Sequence, residues 1–365
     1  MLLYTELTLS STGITGYLGG DVLSILTQDH PDWEISALVR SEEKAKQLSS
    51  VYPNVRTVLG DVESTELIAD EVKKAGIVYS MFPPMPRPHV NANVDNADFI
   101  DCNSLTAVQA IAQGASSHTP SHPLYLIHTG GTGVLTLSDQ HAPKVGTANN
   151  KQWDDWTHLS EVTTLPDEAP HRLVDKAVLD LGQQDPTSVK TAIVCPPVIY
   201  GAARGRGPCN TRSMQAYWAS ELVLRRKKGF VVGEGENTVS AVHVQDVADL
   251  FVLLGQAAAA AGGGDASWGT EGYYFAESQA FRWKDMHAVI ARAAFEMGLI
   301  PSPEVEVLPT EEQIRGVLED GAYVWGTNQW VDAVRAKRLL GWKPYRPALR
   351  EVVPEIVAAE ARRLG

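Results

Sequence analysis

A glycine-rich segment at residues 12–20 constrains the fold of this chain more than any other feature of its sequence. The segment reads TGITGYLGG, follows an apolar β-prone run and leads directly into a helical pattern. Glycine at positions 13 and 16 lets the backbone turn sharply and approach a pyrophosphate, and glycine at position 19 lets the helix pack closely on the strand. The segment therefore predicts a dinucleotide-binding βαβ unit. Its predicted cofactor contacts are Gly13, Thr15, Gly16, Tyr17, Leu18 and Gly19.

Strand and helix patterns alternate from the start of the chain to about Val198. This alternation predicts an α/β protein with a Rossmann fold, a doubly wound parallel sheet covered by helices. The β-prone runs are Leu7–Ser11, Ile35–Val39, Val55–Leu59, Ile77–Phe82, Leu124–His128 and Thr191–Cys195. The clearest amphipathic helices between them are Gly19–Gln28, Glu42–Ser50 and Leu105–Gln113.

A smaller substrate lobe is expected in the C-terminal part. Residues 1–200 are predicted to form the NAD(P)-binding Rossmann domain, and residues 201–365 are predicted to form mainly the C-terminal lobe, partly interleaved with the sheet. A polar, Pro-containing insert at 138–171 is too long for a simple connection, so it is either a lid or a surface insert. Its Asp154-Asp155 pair either lines a pocket or, as is usual for acids in a polar loop, is solvated.

The composition excludes several classes of function. The 31 Lys and Arg residues against 44 Asp and Glu residues give a net charge of −13, which argues against a nucleic-acid partner. Three cysteines without C-x-x-C spacing argue against a disulfide framework and favour the reducing cytosol. We find no apolar run of about 20 residues and no signal-peptide pattern, so we expect a cytoplasmic protein that is not in a membrane. A metal site is not expected, because the following histidines lack zinc-site spacing: His118, His122, His128 and His141.

The residues at the ends of the second and third strands bear on the choice of cofactor. Arg40 stands where an NAD site would carry an acid for the ribose 2′-hydroxyl, and an arginine suits a 2′-phosphate, so NADP(H) is favoured. The alternative is a solvated arginine at a strand end. Asp61 and its neighbour Val62 follow the third strand, where Asp61 either accepts from the adenine amino group or only forms a turn.

Several motifs together resemble the extended short-chain dehydrogenase/reductases, and most closely their fungal NAD-dependent epimerase/dehydratase-like branch. The resemblance implies a Rossmann domain, a bound NAD(P) that Pro197 and Val198 also contact, and a C-terminal substrate lobe. It covers about residues 7–254. The residues that carry it are Thr12–Gly20, Arg40, Asp61-Val62, His128–Gly133, Cys195–Gly201 and Ser240–Ala248.

The sequence departs from that family at the catalytic pair Tyr-x-x-x-Lys, because no lysine here has a tyrosine four residues before it. Lys176 is the candidate for ribose binding that the resemblance implies. Arg172 lies four residues before it and stays protonated, so it can bind a carboxylate or stabilise an oxyanion. His171 can transfer a proton near neutral pH if the first helical turn is distorted toward the cofactor. The alternative for His171 is a surface or packing role.

Hydroxyl and guanidinium groups give further candidates. The family's catalytic serine would fall near Gly130 or Gly131, so Thr129 and Thr132 are the nearby hydroxyls, unless both only satisfy backbone groups. Three arginines after the Pro-Pro strand end either bind an anionic substrate or form surface ion pairs. These arginines are Arg204, Arg206 and Arg212.

The leading hypothesis is an NADPH-dependent oxidoreductase that reduces a carbonyl or activated double bond of a small organic substrate. The first alternative is a non-redox isomerase, dehydratase or cyclase that keeps the cofactor as structure, which the missing tyrosine favours. The second is a redox-sensing binding protein of the NmrA-like kind. The helix Arg172–Leu181 has a broad apolar stripe, so a homodimer is a further hypothesis, although the stripe can equally pack on the sheet.

Overall fold

The computed structural model describes residues 8–81, 104–142, 144–318 and 322–365. Its strands are β1 Thr8–Thr12, β2 Glu34–Val39, β3 Val55–Leu59, β4 Ile77–Ser80, β5 Leu124–Thr129, β6 Trp153–Asp154, β7 Val189–Cys195, β8 Val198–Tyr200, β9 Gly229–Val232, β10 Thr238–His243, β11 Tyr273–Phe275, β12 Gln279–Arg282, β13 Val305–Leu308 and β14 Val331–Asp332. Its α-helices are α1 Tyr17–Asp29, α2 Glu42–Val51, α3 Thr65–Val72, α4 Leu105–Ala115, α5 Leu137–Gln140, α6 Leu159–Thr163, α7 Arg172–Gln184, α8 Gln215–Arg226, α9 Val244–Ala259, α10 Trp283–Glu296, α11 Glu311–Val317, α12 Ala322–Trp325, α13 Val334–Leu339 and α14 Leu349–Leu364.

Seven parallel strands form the main sheet in the order β11-β7-β5-β4-β1-β2-β3. The chain moves outward from β1 to β3, returns to β4 on the other side of β1, and continues outward to β11. The direction of winding therefore reverses between β1 and β4, and a crevice at the carboxyl ends of the strands is the usual ligand site at such a reversal. The predicted α/β class and doubly wound Rossmann sheet are confirmed. The predicted strand end at Phe82 lies outside the described residues.

Helices pack on this sheet because parallel strands bury both faces. Helix α1 packs against α9, while α3 packs against α4 and α4 packs against α7. The strand β5 is buried at all six positions, which suits a central strand covered on both sides. None of the described helices is both long enough and apolar enough to cross a bilayer.

A second hydrophobic core lies under α8, α10 and α14 and includes side chains from β8, β9 and β10. The short sheet β12-β10-β8 links the two cores, since β8 continues from β7 after the Pro196-Pro197 pair. Residues of α9 and β11 return to the first core. We propose that residues 1–200 form the Rossmann domain and that residues 201–365 form mainly the C-terminal lobe, with α9 and β11 packed in the Rossmann core.

The insert at 138–171 is attached at several points to distant parts of the chain. Strand β6 within it pairs in parallel with β14. Asp155 is fully buried, and its carboxylate accepts from the backbone N–H groups of Phe275, Val334 and Arg335 at 2.8–2.9 Å. The expectation that both acids of the Asp154-Asp155 pair are solvated is therefore wrong for Asp155. Three backbone donors from two distant segments compensate for the loss of its hydration.

Replacing this carboxylate tests how far the insert depends on it. Asp155→Ala leaves two buried N–H groups and one half-buried N–H group without their acceptor, so we expect a loss of about 3 kcal/mol or more in the free energy of unfolding. Urea denaturation measures the change. Asp265→Ala, at an exposed position, is the control and should stay within about 0.5 kcal/mol of the wild type. Equal stability of the two variants would contradict this description of the insert.

Candidate active site

The glycine-rich turn is held by a close contact between its own backbone segments. Gly13 has a φ of 74°, which glycine adopts without strain. A Cβ atom on Gly19 would lie 2.2 Å from the carbonyl oxygen of Gly13, so only glycine allows α1 to approach the turn this closely. Gly16 precedes the first residue of α1 and supplies no side-chain cap. The start of α1 is therefore suited to a phosphate ligand.

A segment from the C-terminal part packs on the outer side of this turn. The backbone N–H of Asn210 donates to the carbonyl oxygen of Thr15 at 2.8 Å. Arg204 donates through Nε and Nη2 to the fully buried carboxylate of Asp21 on α1. The Tyr17 hydroxyl donates to the carbonyl oxygen of Gly201. These bonds fix the turn and the first residues of α1 from outside.

Arg40 and Asp61 follow the carboxyl ends of β2 and β3, on the edge of the sheet where the turn lies. Arg40 is exposed. Asp61 is also exposed, and its carboxylate accepts from the Glu63 N–H and the Ser64 hydroxyl, which forms a turn. Val62 packs partly buried against the main core. Of the two roles considered for Asp61, the turn-forming one is present in the structure, and adenine recognition stays a prediction.

A pocket of about 230 Å³ opens beside the turn, at the carboxyl ends of β5 and β7. This is the crevice side of the reversal in winding. Its lining includes residues that the sequence analysis named as candidates and residues from the C-terminal part of the chain. It is lined by Tyr17, Gly130, Gly131, Thr132, Gly133, His171, Pro196, Pro197, Ile199, Met214, Gln215, Val324 and Gln329. Val198, the other predicted contact after the Pro-Pro pair, is buried in the second core instead.

His171 reaches the pocket through an unusual backbone conformation. It precedes α7 with a φ of 66° and a ψ of −15°, in the left-handed region that non-glycine residues rarely adopt. Its carbonyl oxygen accepts from the N–H groups of Val174 and Asp175, so His171 is the residue that caps the start of α7. The backbone just before the first turn of α7 is thus distorted, and the catalytic role of His171 stays a prediction. Burial lowers the pKa of His171 to about 4, so its imidazole is neutral at pH 7.

Helix α7 presents its two predicted basic residues away from the pocket wall. Lys176 is exposed, and its Nζ lies 2.8 Å from Asp180 on the same helix. Arg172 is buried, and its Nε donates to the carbonyl oxygen of Leu165 at 2.9 Å. Neither side chain lines the pocket in the described part of the chain. Their proposed roles stay predictions, and binding of a ribose by Lys176 would require its ion pair to open.

Asp175, four residues after His171, is the acid that sequence reasoning missed. It is 2% exposed, and its Oδ2 accepts from the Tyr273 hydroxyl at 3.2 Å. Its Oδ1 has no hydrogen-bond partner among the described residues and lies 3.0 Å from where a Cβ on Gly130 would be. Burial raises the pKa of Asp175 to about 7. Counting forward from His171 by the family's spacing of four would have found this position.

The raised pKa of Asp175 predicts a pH-dependent difference in stability. Since the folded state holds this proton more tightly than the unfolded state, the contribution is complete below about pH 4 and is lost as pH rises through about 7. Asp175→Asn keeps the acceptor for Tyr273 and removes the titration. Between pH 4 and pH 8, the free energy of unfolding of the wild type should fall relative to the variant by about 1 kcal/mol or more. Parallel pH curves in urea denaturation would contradict the assignment.

The two predicted hydroxyls differ in position. Thr129 is buried at the end of β5, and its hydroxyl has no partner in the described part of the chain. Thr132 lines the pocket, and its hydroxyl donates to the Oε1 atom of Gln329 at 2.7 Å. Gln329 is also missing from the sequence-based candidates, because almost 200 residues separate it from Thr132 and no local motif marks it.

Solved structures with the same fold cover almost the whole chain. The UDP-glucose 4-epimerase of Thermotoga maritima, solved with UDP-glucose, aligns with a TM-score of 0.62 at 14% identity over 98% of this chain and all of its own. The dTDP-glucose 4,6-dehydratase of Bacillus anthracis, solved with NAD, aligns with a TM-score of 0.61 at 12% identity over 98% of this chain and 97% of its own. At these identities the likeness shows the fold.

Curated relatives establish the family. The oxidase UcsJ of an Acremonium species is 32% identical to the chain over 362 residues, which cover 97% of this chain and 98% of the oxidase. The chain belongs to the extended short-chain dehydrogenase/reductases. The NmrA-like family model matches residues 7–100 of this short-chain dehydrogenase/reductase, the part that includes the glycine-rich turn. The predicted family resemblance is confirmed.

Proposed function

We propose that this short-chain dehydrogenase/reductase is an NADP(H)-dependent oxidoreductase that interconverts a carbonyl and an alcohol on a small organic molecule. The observation that carries the proposal is the position of His171. Its side chain lines a pocket that also borders Tyr17 of the glycine-rich turn and Gly130 at the end of β5. A proton-transfer group therefore lies beside the crevice in which a dinucleotide bound at α1 would end.

The residues around the turn fit a dinucleotide. The cradle formed by Gly13 and Gly19 has no room for a Cβ, and the start of α1 offers backbone N–H groups without a side-chain cap. Arg40 at the end of β2 would bind the 2′-phosphate of NADP. When bound, the nicotinamide accepts or supplies a hydride. The Thermotoga and Bacillus structures share this fold at low identity, so they support the fold of the site and not its choice of nucleotide.

The choice of nucleotide is tested at Arg40. Arg40→Asp removes the cation and adds a charge that repels a phosphate, so we expect the Kd for NADPH to rise at least tenfold, while the Kd for NADH changes little or falls. Calorimetric titration of both nucleotides measures the effect. Arg350→Asp, at an exposed position near the start of α14, is the matched control. Equal weakening of both nucleotides, or none, would contradict NADP selectivity.

His171 carries the proton step. Because its imidazole is neutral at pH 7, it is ready to accept the proton of a substrate hydroxyl while the hydride leaves the adjacent carbon. Reduction of a carbonyl, the direction expected from the sequence, is the reverse step and needs His171 in its charged form. The neutral imidazole has the protonation state that the oxidation of an alcohol requires of a proton acceptor, and the Acremonium relative is named an oxidase.

A second set of side chains orients the substrate oxygen. Thr132 and Gln329 are hydrogen-bonded to each other in the pocket wall, and the backbone of Gln329 is fixed by bonds to Thr238 and Ser240 on β10. Their hydroxyl and amide are thus pre-positioned by both parts of the chain. A substrate oxygen bound here would be held within the pocket that His171 lines.

Removing the imidazole tests the proton step. His171→Ala should lower kcat for NADP-dependent alcohol oxidation by about 100-fold or more, with a small effect on nucleotide affinity. Absorbance at 340 nm follows the reaction over a panel of primary and secondary alcohols. His122→Ala, at an exposed turn, is the control. A variant that keeps wild-type kcat would exclude His171 as the proton-transfer residue.

A redox-sensing binding protein is the second candidate, and the NmrA-like match over residues 7–100 favours it. A sensor needs no groups that transfer a proton or bind a substrate oxygen, whereas His171, Thr132 and Gln329 all line the pocket at the end of the crevice. Tight NADP(H) binding without turnover of any alcohol, aldehyde, ketone or enone would favour the sensor. The same result would also be expected of a non-redox isomerase, dehydratase or cyclase, which product analysis would then reveal.

A further inference from the structure

The pocket beside His171 has a neutral wall in the described part of the chain. Five of its lining side chains are apolar, and they belong to Pro196, Pro197, Ile199, Met214 and Val324. The polar lining groups are hydroxyls, amides and one imidazole. Apolar walls with a few placed neutral hydrogen-bonding groups favour ligands that do not carry charge into the pocket, because a charge there would lose its hydration without a counter-ion.

Two of the three arginines that follow the pocket strand, Arg204 and Arg212, are already bound to acids, whereas the Arg206 guanidinium lies over the Tyr52 ring. Arg212 donates through Nε and Nη2 to Glu360 at 2.7 and 3.0 Å, and that carboxylate is 1% exposed. Arg204 pairs with Asp21 and Asp249 on the far side of the glycine-rich turn. A diphosphate ligand would have to compete with these ion pairs, and breaking a buried pair leaves an uncompensated carboxylate. Arg204 and Arg212 were considered either for binding an anionic substrate or for forming ion pairs, and the structure contains the ion pairs.

Gln329 presents a donor to the pocket. Its Oε1 accepts from the Thr132 hydroxyl, and its Nε2 donates to the Thr327 hydroxyl at 3.3 Å. The amide nitrogen carries two hydrogens, and among the described residues only Thr327 accepts one of them. The second is available to a carbonyl or hydroxyl oxygen. Gln329 is 7% exposed, its backbone is bonded twice to β10, and its side-chain amide is held by Thr132 and Thr327, so the amide is restrained at both ends.

We propose that the substrate is an uncharged, largely apolar carbonyl or alcohol compound whose oxygen accepts a hydrogen bond from the Gln329 amide, and that nucleotide-linked sugars are not accepted. This inference rests on the proposed function, because it assigns the pocket of His171 to the substrate. The inferred substrate class differs from UDP-glucose, the ligand with which the Thermotoga structure was solved. The lowered pKa values of His171 and of the nearby His128 agree with it, since burial keeps both imidazoles neutral at pH 7.

The test uses the full chain with NADP(H) and a pair of substrates of similar shape and different charge. The pair is 4-methylbenzaldehyde and 4-carboxybenzaldehyde, with the two matching benzyl alcohols for the oxidative direction, and UDP-glucose is a third ligand. We expect kcat/KM for the uncharged member to exceed that for the carboxylate by at least 100-fold. UDP-glucose should show neither turnover nor calorimetric binding at millimolar concentration.

Variants that add a positive charge then test whether the pocket lining determines the preference for the uncharged substrate over the carboxylate. Gln329→Lys adds a cation to the pocket wall and should raise the preference for the carboxylate at least tenfold relative to the wild type. Gln215→Lys, at another residue of the lining, tests the same point if the first variant does not fold. Gln313→Lys, on the exposed helix α11, adds the same charge away from the pocket and should leave the preference unchanged.

Failure of this inference differs from failure of the proposed function. Equal or better kcat/KM for the carboxylate, or binding of UDP-glucose, would overturn the substrate class and leave the oxidoreductase intact. If no hydride transfer occurs but the uncharged compound alone binds, as detected by saturation-transfer NMR and lost in Gln329→Lys, the substrate class stands and the proposed function fails. Binding of none of the three ligands overturns the inference for this pocket.

Discussion

The contact between Gly13 and Gly19 is the constraint on which the site depends. Because the carbonyl oxygen of Gly13 occupies the space of a Cβ on Gly19, α1 lies directly against the turn and its start points along the carboxyl edge of the sheet. The segment with Arg204 and Asn210 then fixes the same turn from outside. The turn that follows β1 is therefore in contact both with the start of α1 and with the C-terminal segment that includes Arg204 and Asn210.

The second constraint lies at the start of α7, and it explains how this chain departs from its family. An alignment of Tyr-x-x-x-Lys on Lys176 gives the tyrosine position to Arg172, the first residue of α7. His171 precedes it in the left-handed conformation, and Arg172 is bonded to Leu165 and does not line the pocket. The residues that face inward are then His171 and Asp175, which keep the spacing of four, while Lys176 faces solvent. Gly130 accommodates Asp175, because a side chain there would meet its carboxylate. Glycine at position 130 therefore leaves the space that the carboxylate of Asp175 occupies.

Local patterns were sufficient for the framework of the fold. The glycine-rich turn and the parallel strands follow from spacing and from the alternation of strands and helices, which depend on neighbours in sequence. The predictions failed where distant segments decide the environment. Asp155 is in a polar loop, yet backbone N–H groups from two remote segments bury it. Gln329 enters the pocket by pairing with β10, and a sequence pattern does not record such a contact.

The most direct test of the account is a crystal structure of the full chain with NADP⁺. We predict that the pyrophosphate lies at the start of α1 and that the nicotinamide lies at the edge of the pocket beside His171, which leaves the apolar part of the pocket to the substrate. The Gln329 amide should remain hydrogen-bonded to Thr132 in the pocket lining. A nicotinamide remote from this pocket, or a dinucleotide bound away from the glycine-rich turn, would contradict the proposed oxidoreductase site.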